Sequence, residues 1–201
     1  MNKRFLACAL VLAPLFAESQ PLDAKAALRG YFFAGSPQHR EMRGGFALCD
    51  NRPLRIKRSL PKGQLLLLAY PDEHVRFRER SGFRVLLANT TGAEVMIAAS
   101  DSRLDIVREA LDRSGKWRPI EYFPHSWCGN SYHHVFLPPG YAWSFRAPEY
   151  TGSFRTKMRF VLTREDGPPL YSNEFEGSIN LAQFDKREGH VATNVMDPYD
   201  E

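Results

Sequence analysis

The chain of 201 residues carries 27 Lys and Arg against 23 Asp and Glu, is 43% hydrophobic, and holds three cysteines. That length and apolar share suffice for one domain with a substantial core. A formal charge of +4 is too weak for the basic surface of a nucleic-acid-binding protein, so no nucleic-acid partner is expected.

Met1, Asn2, Lys3 and Arg4 precede an apolar run from Phe5 to Ala17 broken only by Pro14. A positive start followed by such a run predicts a secretory signal peptide over residues 1–17, too short for a bilayer-spanning helix of about 20 residues. Ala17 offers the cleavage point, with polar Glu18, Ser19 and Gln20 after it. Cys8 lies too early in the run for a lipidation site. The expected location is therefore periplasmic or secreted. Loss of Lys3 and Arg4 lowers the charge to +2. No membrane span is expected in the mature chain, since its most apolar stretch, Leu65 to Ala69, is far too short.

Residues 18–63 read as an N-terminal hairpin or extension, with a possible helical turn over Asp23 to Leu28 and strands near Gly30 to Ala34 and Phe46 to Cys49. Period-two alternation then dominates residues 64–184. Strands are expected at Gln64 to Tyr70, Phe83 to Asn89, Glu94 to Ala99, Leu104 to Leu111, Trp117 to Tyr122, His133 to Leu137 and Tyr141 to Arg146. Breaks fall at Pro71 and Asp72, Asn89 to Gly92, Asp112 to Gly115, and Pro138 to Gly140. Leu104 to Leu111 would also suit a short helix. The clearest strand sets Phe154, Thr156, Met158, Phe160 and Leu162 against Arg155, Lys157, Arg159, Val161 and Thr163. A return strand follows from Leu170 to Gly177. Residues 185–201 show no periodicity and read as a flexible tail. Short strands at this spacing predict an all-β antiparallel sandwich or barrel.

Three stretches, "RVLLANTTGAEVMI" from Arg84, "VFLPPGYAWSF" from Val135 and "YTGSFRTKMRFVL" from Tyr150, together resemble bacterial exported immunoglobulin-like or fibronectin-III-like modules over Gln64 to Asn180. The resemblance implies an immunoglobulin-like antiparallel β-sandwich and, more faintly, a binding role. The chain departs from true immunoglobulin domains in lacking their Cys, Trp, Cys spacing, and its segment from Leu104 to His134 is long.

Cys49 and Cys128 survive signal removal, and two cysteines in an exported chain are expected to pair. Such a disulfide would contribute about 4–5 kcal/mol in the chain-entropy model; separate thiols or metal ligation are the alternatives. The densest reactive segment runs from His125 to His134. His125, Trp127, Asn130, Tyr132 and His133 form a candidate binding loop. His125, Cys128 and His133 are weak candidates for zinc or copper, needing His39, His74 or a water as a fourth ligand. His133 and His134, adjacent on a strand, point to opposite faces. The expected cofactor is none.

Catalysis has little support. Ser131 follows Gly129, but His133 stands where a nucleophile elbow needs Gly. A Cys128 thiolate would be consumed by Cys49. Asp101, Asp105, Glu109 and Glu121 could meet in space, and a hydrolase with a concealed site stays open. Arg76, Arg78 and Arg80 are expected along one strand face, and Arg155, Lys157 and Arg159 along another. The second is a candidate basic face for an anionic surface polymer, or else an ordinary solvated face. Trp117, Trp127, Tyr132 and Tyr141 offer aromatic faces, whereas Trp143 belongs to a core strand. Asn89, Thr90 and Thr91 form a glycosylation sequon, informative only in a eukaryotic host. The expected function is a non-enzymatic binding or assembly module whose partner is a cell-surface polymer or another exported protein; the alternative is a metal-binding protein or small metalloenzyme using the His125 to His134 loop.

Overall fold

A computed structural model describes residues 22–23, 31–36, 49–121 and 129–185. The expected signal peptide, most of the expected helical turn, residues 46–48, Tyr122, the loop members His125, Trp127 and Cys128, and residues 186–201 lie outside these.

The described residues contain no α-helix. The strands are β1 (Leu22–Asp23), β2 (Leu54–Arg55), β3 (Leu65–Phe77), β4 (Arg80–Asn89), β5 (Val95–Ser100), β6 (Arg103–Leu104) and β7 (Ile106–Leu111). There follow β8 (Trp117–Pro119), β9 (Tyr132–Leu137), β10 (Tyr141–Pro148), β11 (Tyr150–Thr151), β12 (Phe154–Leu162), β13 (Leu170–Tyr171) and β14 (Phe175–Ile179). One antiparallel sheet has the order β2-β10-β4-β3. A second runs β13-β12-β7-β8 with β14 also on β12, and a third runs β6-β5-β9. β1 adds a short parallel pairing to β11.

β6 and β7 are separated only by Asp105, and Leu104, Ile106, Arg108 and Ala110 are all buried in alternation. One chain path thus passes from the third sheet into the second, as sandwich corners commonly do. Between the layers sit Phe32, Leu67, Val85, Leu87, Leu137, Trp143, Phe160, Leu162 and Ile179. Phe32 meets Phe145 and Phe160 edge-on, with ring centroids 5.2 and 5.4 Å apart. Burying aromatic rings edge to face is a favourable way to fill such a core.

Residues 31–36 thread along this core. Phe33 bridges Arg103, the Ala34 N–H donates to the Ser102 carbonyl, and the Leu104 N–H donates to the Phe32 carbonyl. Buried Trp143 donates its indole N–H to the Gly35 carbonyl at 2.9 Å, confirming its core position. A Cβ at Gly35 would collide with the Cys49 carbonyl, so only glycine permits this approach.

Several elements differ from expectation. Leu104 to Leu111 is strand on both sides of Asp105 and not helix, because its inward residues pack on the core while β12 pairs with β7 from Met158 to Leu162. β3 continues through Pro71 and Asp72 with a register shift between Tyr70 and His74; proline is tolerated because β3 is an edge strand. Arg76, Arg78 and Arg80 do not share one strand face. Arg78 and Glu79 form the hairpin turn between β3 and β4, with Arg78 at φ 52°. The return strand after Leu170 is divided in two, because Ser172 and Asn173 serve other partners. The Ser172 hydroxyl accepts from the Phe160 N–H. Asn173 accepts from the Ala69 N–H at 2.8 Å and donates to the Ala69 carbonyl at 3.0 Å. Its side chain stands in for a neighbouring strand at the β3 edge.

Candidate functional site

The described part of the candidate loop enters the fold through a 3-10 turn, Gly129–Ser131, which leads directly into β9. The Asp101 N–H donates to the Ser131 carbonyl at 2.8 Å, fixing this turn against the hairpin between β5 and β6. That hairpin has two central residues, Asp101 and Ser102, at φ 47° and 63°. Two positive φ values give the turn whose twist matches its strands, here without the glycine that usually relieves the strain.

Residues directly opposite in an antiparallel ladder project to the same side. Tyr132 stands opposite Ser100, His134 opposite Ala98, and Phe136 opposite Met96; Phe33 stands opposite Arg103. Tyr132 and Met96 are each 52% exposed and Phe33 is 42% exposed. Together with half-buried Phe136 they form an apolar outer face. His134 lies between the rows, its Nε2 2.8 Å from the Glu165 carboxylate. Met96, Ile97 and Ala98 line a shallow hollow with Arg164, Glu165 and Asp166.

Asn130 is exposed at the edge of this face. His133 shares the strand side of buried Val135 and Leu137, and its Nδ1 lies 3.1 Å from the Ser131 carbonyl. The two histidines therefore diverge, as alternation requires. Among the described residues no three His, Cys, Asp or Glu side chains gather as metal ligands. The Sγ of half-buried Cys49 accepts from the Asn51 N–H at 3.3 Å; its expected partner Cys128 lies outside the described residues.

Arg155, Lys157 and Arg159 line the outer face of β12 as the alternation predicts, but each meets a carboxylate. Arg155 lies 3.7 Å from Glu176, Lys157 3.0 Å from Glu174, and Arg159 2.9 Å from Glu109. The hydrogen bond that Lys157 donates to Glu174 raises the Lys157 pKa. The face is thus charge-balanced rather than basic, because strand pairing brings acidic residues from β7, from β14 and from the link before β14 beside the three cations. The Arg159 guanidinium also sits 4.2 Å from the Trp117 ring and 3.9 Å from the Tyr171 ring. Elsewhere, Arg58 and Arg84 both engage Glu73, at 2.8 and 2.7 Å. The Arg58 hydrogen bond lowers the Glu73 pKa.

The acidic residues do not converge: Glu109 faces outward to Arg159 while Glu121 is buried with Arg108. This buried pair was not anticipated. Arg108 is 0% exposed, and its Nε lies 3.5 Å from Glu121. Its Nη2 donates to the Pro148 carbonyl at 2.8 Å and to the Tyr31 hydroxyl at 3.2 Å. Glu121 accepts from the hydroxyls of Tyr31 and Tyr150, at 3.0 and 2.6 Å. Arg108 Nε and Nη1 have no hydrogen-bond acceptor among the described residues. The guanidinium instead lies among the rings of Tyr150, Phe160, Phe83 and Phe175, 4.5 to 5.9 Å away, a setting that favours a desolvated cation. Burial, then the Glu121 charge, pushes the Tyr31 and Tyr150 pKa values well above the ordinary phenol value. For Arg108 burial opposes the charge, but Tyr31, Glu121 and Tyr150 outweigh it and raise its pKa. The cluster ties residues 31–36, β7, β11 and the end of the β8 segment together. The sequence signal for it was Arg108 at an inward position of the alternation, which the helical alternative obscured.

The Asn89 sequon is closed to modification in the fold: Asn89 is 0% exposed, and its amide donates to the Ala93 and Leu137 carbonyls, both at 2.8 Å. No helix of the described residues is long and apolar enough to cross a membrane. Comparison with family models, with curated proteins and with solved structures gives no match, so no family is recognised and the reading rests on the chain's own residues.

Proposed function

We propose that this protein is a non-enzymatic binding or assembly module, exported to the periplasm or cell exterior, which holds a partner protein on the outer face of β5 and β9. The observation that carries the proposal is the gathering of Phe33, Met96 and Tyr132 on one sheet face. They are three of the six exposed large apolar residues among those described. Exposed apolar side chains grouped on one face mark a protein interaction site, and aromatic and Met side chains are enriched at such sites. Arg103, between Tyr132 and Phe33 in the register, and His134, between Tyr132 and Phe136, set polar groups among them, and Glu165 borders the face at His134.

Export is supported by the charged start and apolar run of residues 1–17. An immunoglobulin-like sandwich is supported by the three resembling stretches, which fall on β4 with β5, β9 with β10, and β11 with β12. In an oxidising compartment Cys49 pairs with Cys128; counting alkylated thiols before and after reduction tests this, and two reactive thiols in the unreduced exported protein would reject it.

The binding proposal is tested with a photo-reactive residue at Met96 or Tyr132, and at exposed Asp72 on β3 as a control, in the exporting host. A discrete adduct from positions 96 and 132, competed by the purified wild-type protein and not by Met96→Glu/Tyr132→Asp, is the expected outcome. The same adducts from position 72, or equal competition by the double variant, would reject the site.

A further inference from the structure

We propose that the outer face of β12 binds a neutral glycan, anchored on Tyr171, Arg159, Glu109 and Trp117. This inference is independent of the protein-binding face and rests on a different sheet.

The sequence places one aromatic on each strand flanking the β12 and β7 pair: Tyr171 on β13 and Trp117 on β8. Tyr171 stands opposite Val161, and Trp117 opposite Leu111. Arg159, opposite Glu109, extends between the two rings. Ring centroids 3.9 and 4.2 Å from its Cζ and a 2.9 Å bond from Nε to the Glu109 carboxylate restrain the guanidinium. Its Nη groups have no hydrogen-bond partner among the described residues, and the side chain keeps 19% of its surface exposed.

A guanidinium fixed in this way presents its donors without losing further side-chain freedom on binding. Beside it the Glu109 carboxylate supplies acceptors, so the pair offers donor and acceptor together, as adjacent sugar hydroxyls require. Tyr171 is 45% exposed, and an aromatic ring of negative face accepts the C–H-rich side of a sugar ring. The same donor and acceptor pairing repeats along the strand in Lys157 with Glu174 and Arg155 with Glu176, over roughly 13 Å of β12.

Charge selects among polymers. Three cations on this face meet three carboxylates, so a polyanion gains no net attraction and must compete with an internal carboxylate at every step. An uncharged polyol needs no such displacement.

The test is a panel of immobilised neutral glucan, mannan, galactan and chitin oligosaccharides with heparin as the anionic control, read with purified full-length protein and followed by solution titration. Saturable binding to a neutral oligosaccharide is expected, reduced about tenfold or more by Tyr171→Ala and by Arg159→Leu. Tyr171→Phe retains it, and Tyr132→Ala leaves it unchanged. Thermal unfolding of each variant separates loss of the site from loss of the fold. No saturable binding to any neutral glycan, tighter binding to heparin, or unchanged affinity in folded Tyr171→Ala would overturn the proposal.

Discussion

Glu121→Gln is the most informative single perturbation of this fold. The carboxylate accepts from Tyr31, from Tyr150 and from the Arg108 backbone N–H at 3.1 Å, and its charge faces the Arg108 guanidinium. Removing one partner of a buried ion pair costs about 3–5 kcal/mol, because the other charge stays buried and uncompensated. Glutamine keeps one acceptor for a phenol, so its cost is about 3 kcal/mol; leucine keeps none, so Glu121→Leu costs about 5 kcal/mol. Against a total stability of about 5–15 kcal/mol, either change is large. Urea denaturation followed by the fluorescence of buried Trp143 measures it, with an unchanged m-value confirming that the unfolded state is the same. Adding Arg108→Met to Glu121→Leu should recover at least about 2 kcal/mol, since the orphaned charge is then gone. A loss below about 1 kcal/mol for Glu121→Gln, or strict additivity in the double variant, would refute the buried-pair reasoning.

The raised pKa values of Tyr31 and Tyr150 predict alkaline lability. Both phenols are neutral in either state below about pH 10, the unfolded value. Above it the unfolded chain releases protons that the folded chain keeps, so stability falls by about 1.4 kcal/mol per pH unit for each tyrosine. Denaturation midpoints should hold level up to about pH 10 and fall with this slope above it, and Tyr150→Phe should halve the slope; a flat profile above about pH 10 would contradict the burial of these hydroxyls. Asn173→Ala, which strips both caps from Ala69, should cost about 1–3 kcal/mol in chemical denaturation. Arg78→Asn should raise the melting temperature, with a gain of about 0.5–1 kcal/mol, because Asn tolerates the left-handed conformation better.

Alternation made β12 legible from its first residue to its last, since both its faces differ sharply in polarity. It also separated His133 from His134 without any structure. β3 was read only to Tyr70 because Pro71 signals a break, and whether a strand continues past proline depends on its being at an edge. The charge balance of β12 could not be read at all. Glu109 lies 50 residues from Arg159, and only the pairing register brings them together. The same holds for the face that joins Phe33 to Met96 and Tyr132, whose strands meet across β6. Arg108 was hidden for a different reason: a charged residue at an inward position contradicts the rule that alternation is read by, until its aromatic surroundings and Glu121 are known.

The threading of residues 31–36 sets an order of events. Gly35 waits for Trp143, 108 residues later, and Ser36 receives the Phe136 N–H from 100 residues away. Leu104 and Arg103 must be in place before Phe32 has a strand to lie against. Contacts of such separation require large loop closures and belong to slow-folding topologies. During synthesis, which delivers the chain from its N-terminus, this segment remains without its β10 partner until Tyr141–Pro148 have emerged. Some of the first residues made are thus among the last to be buried.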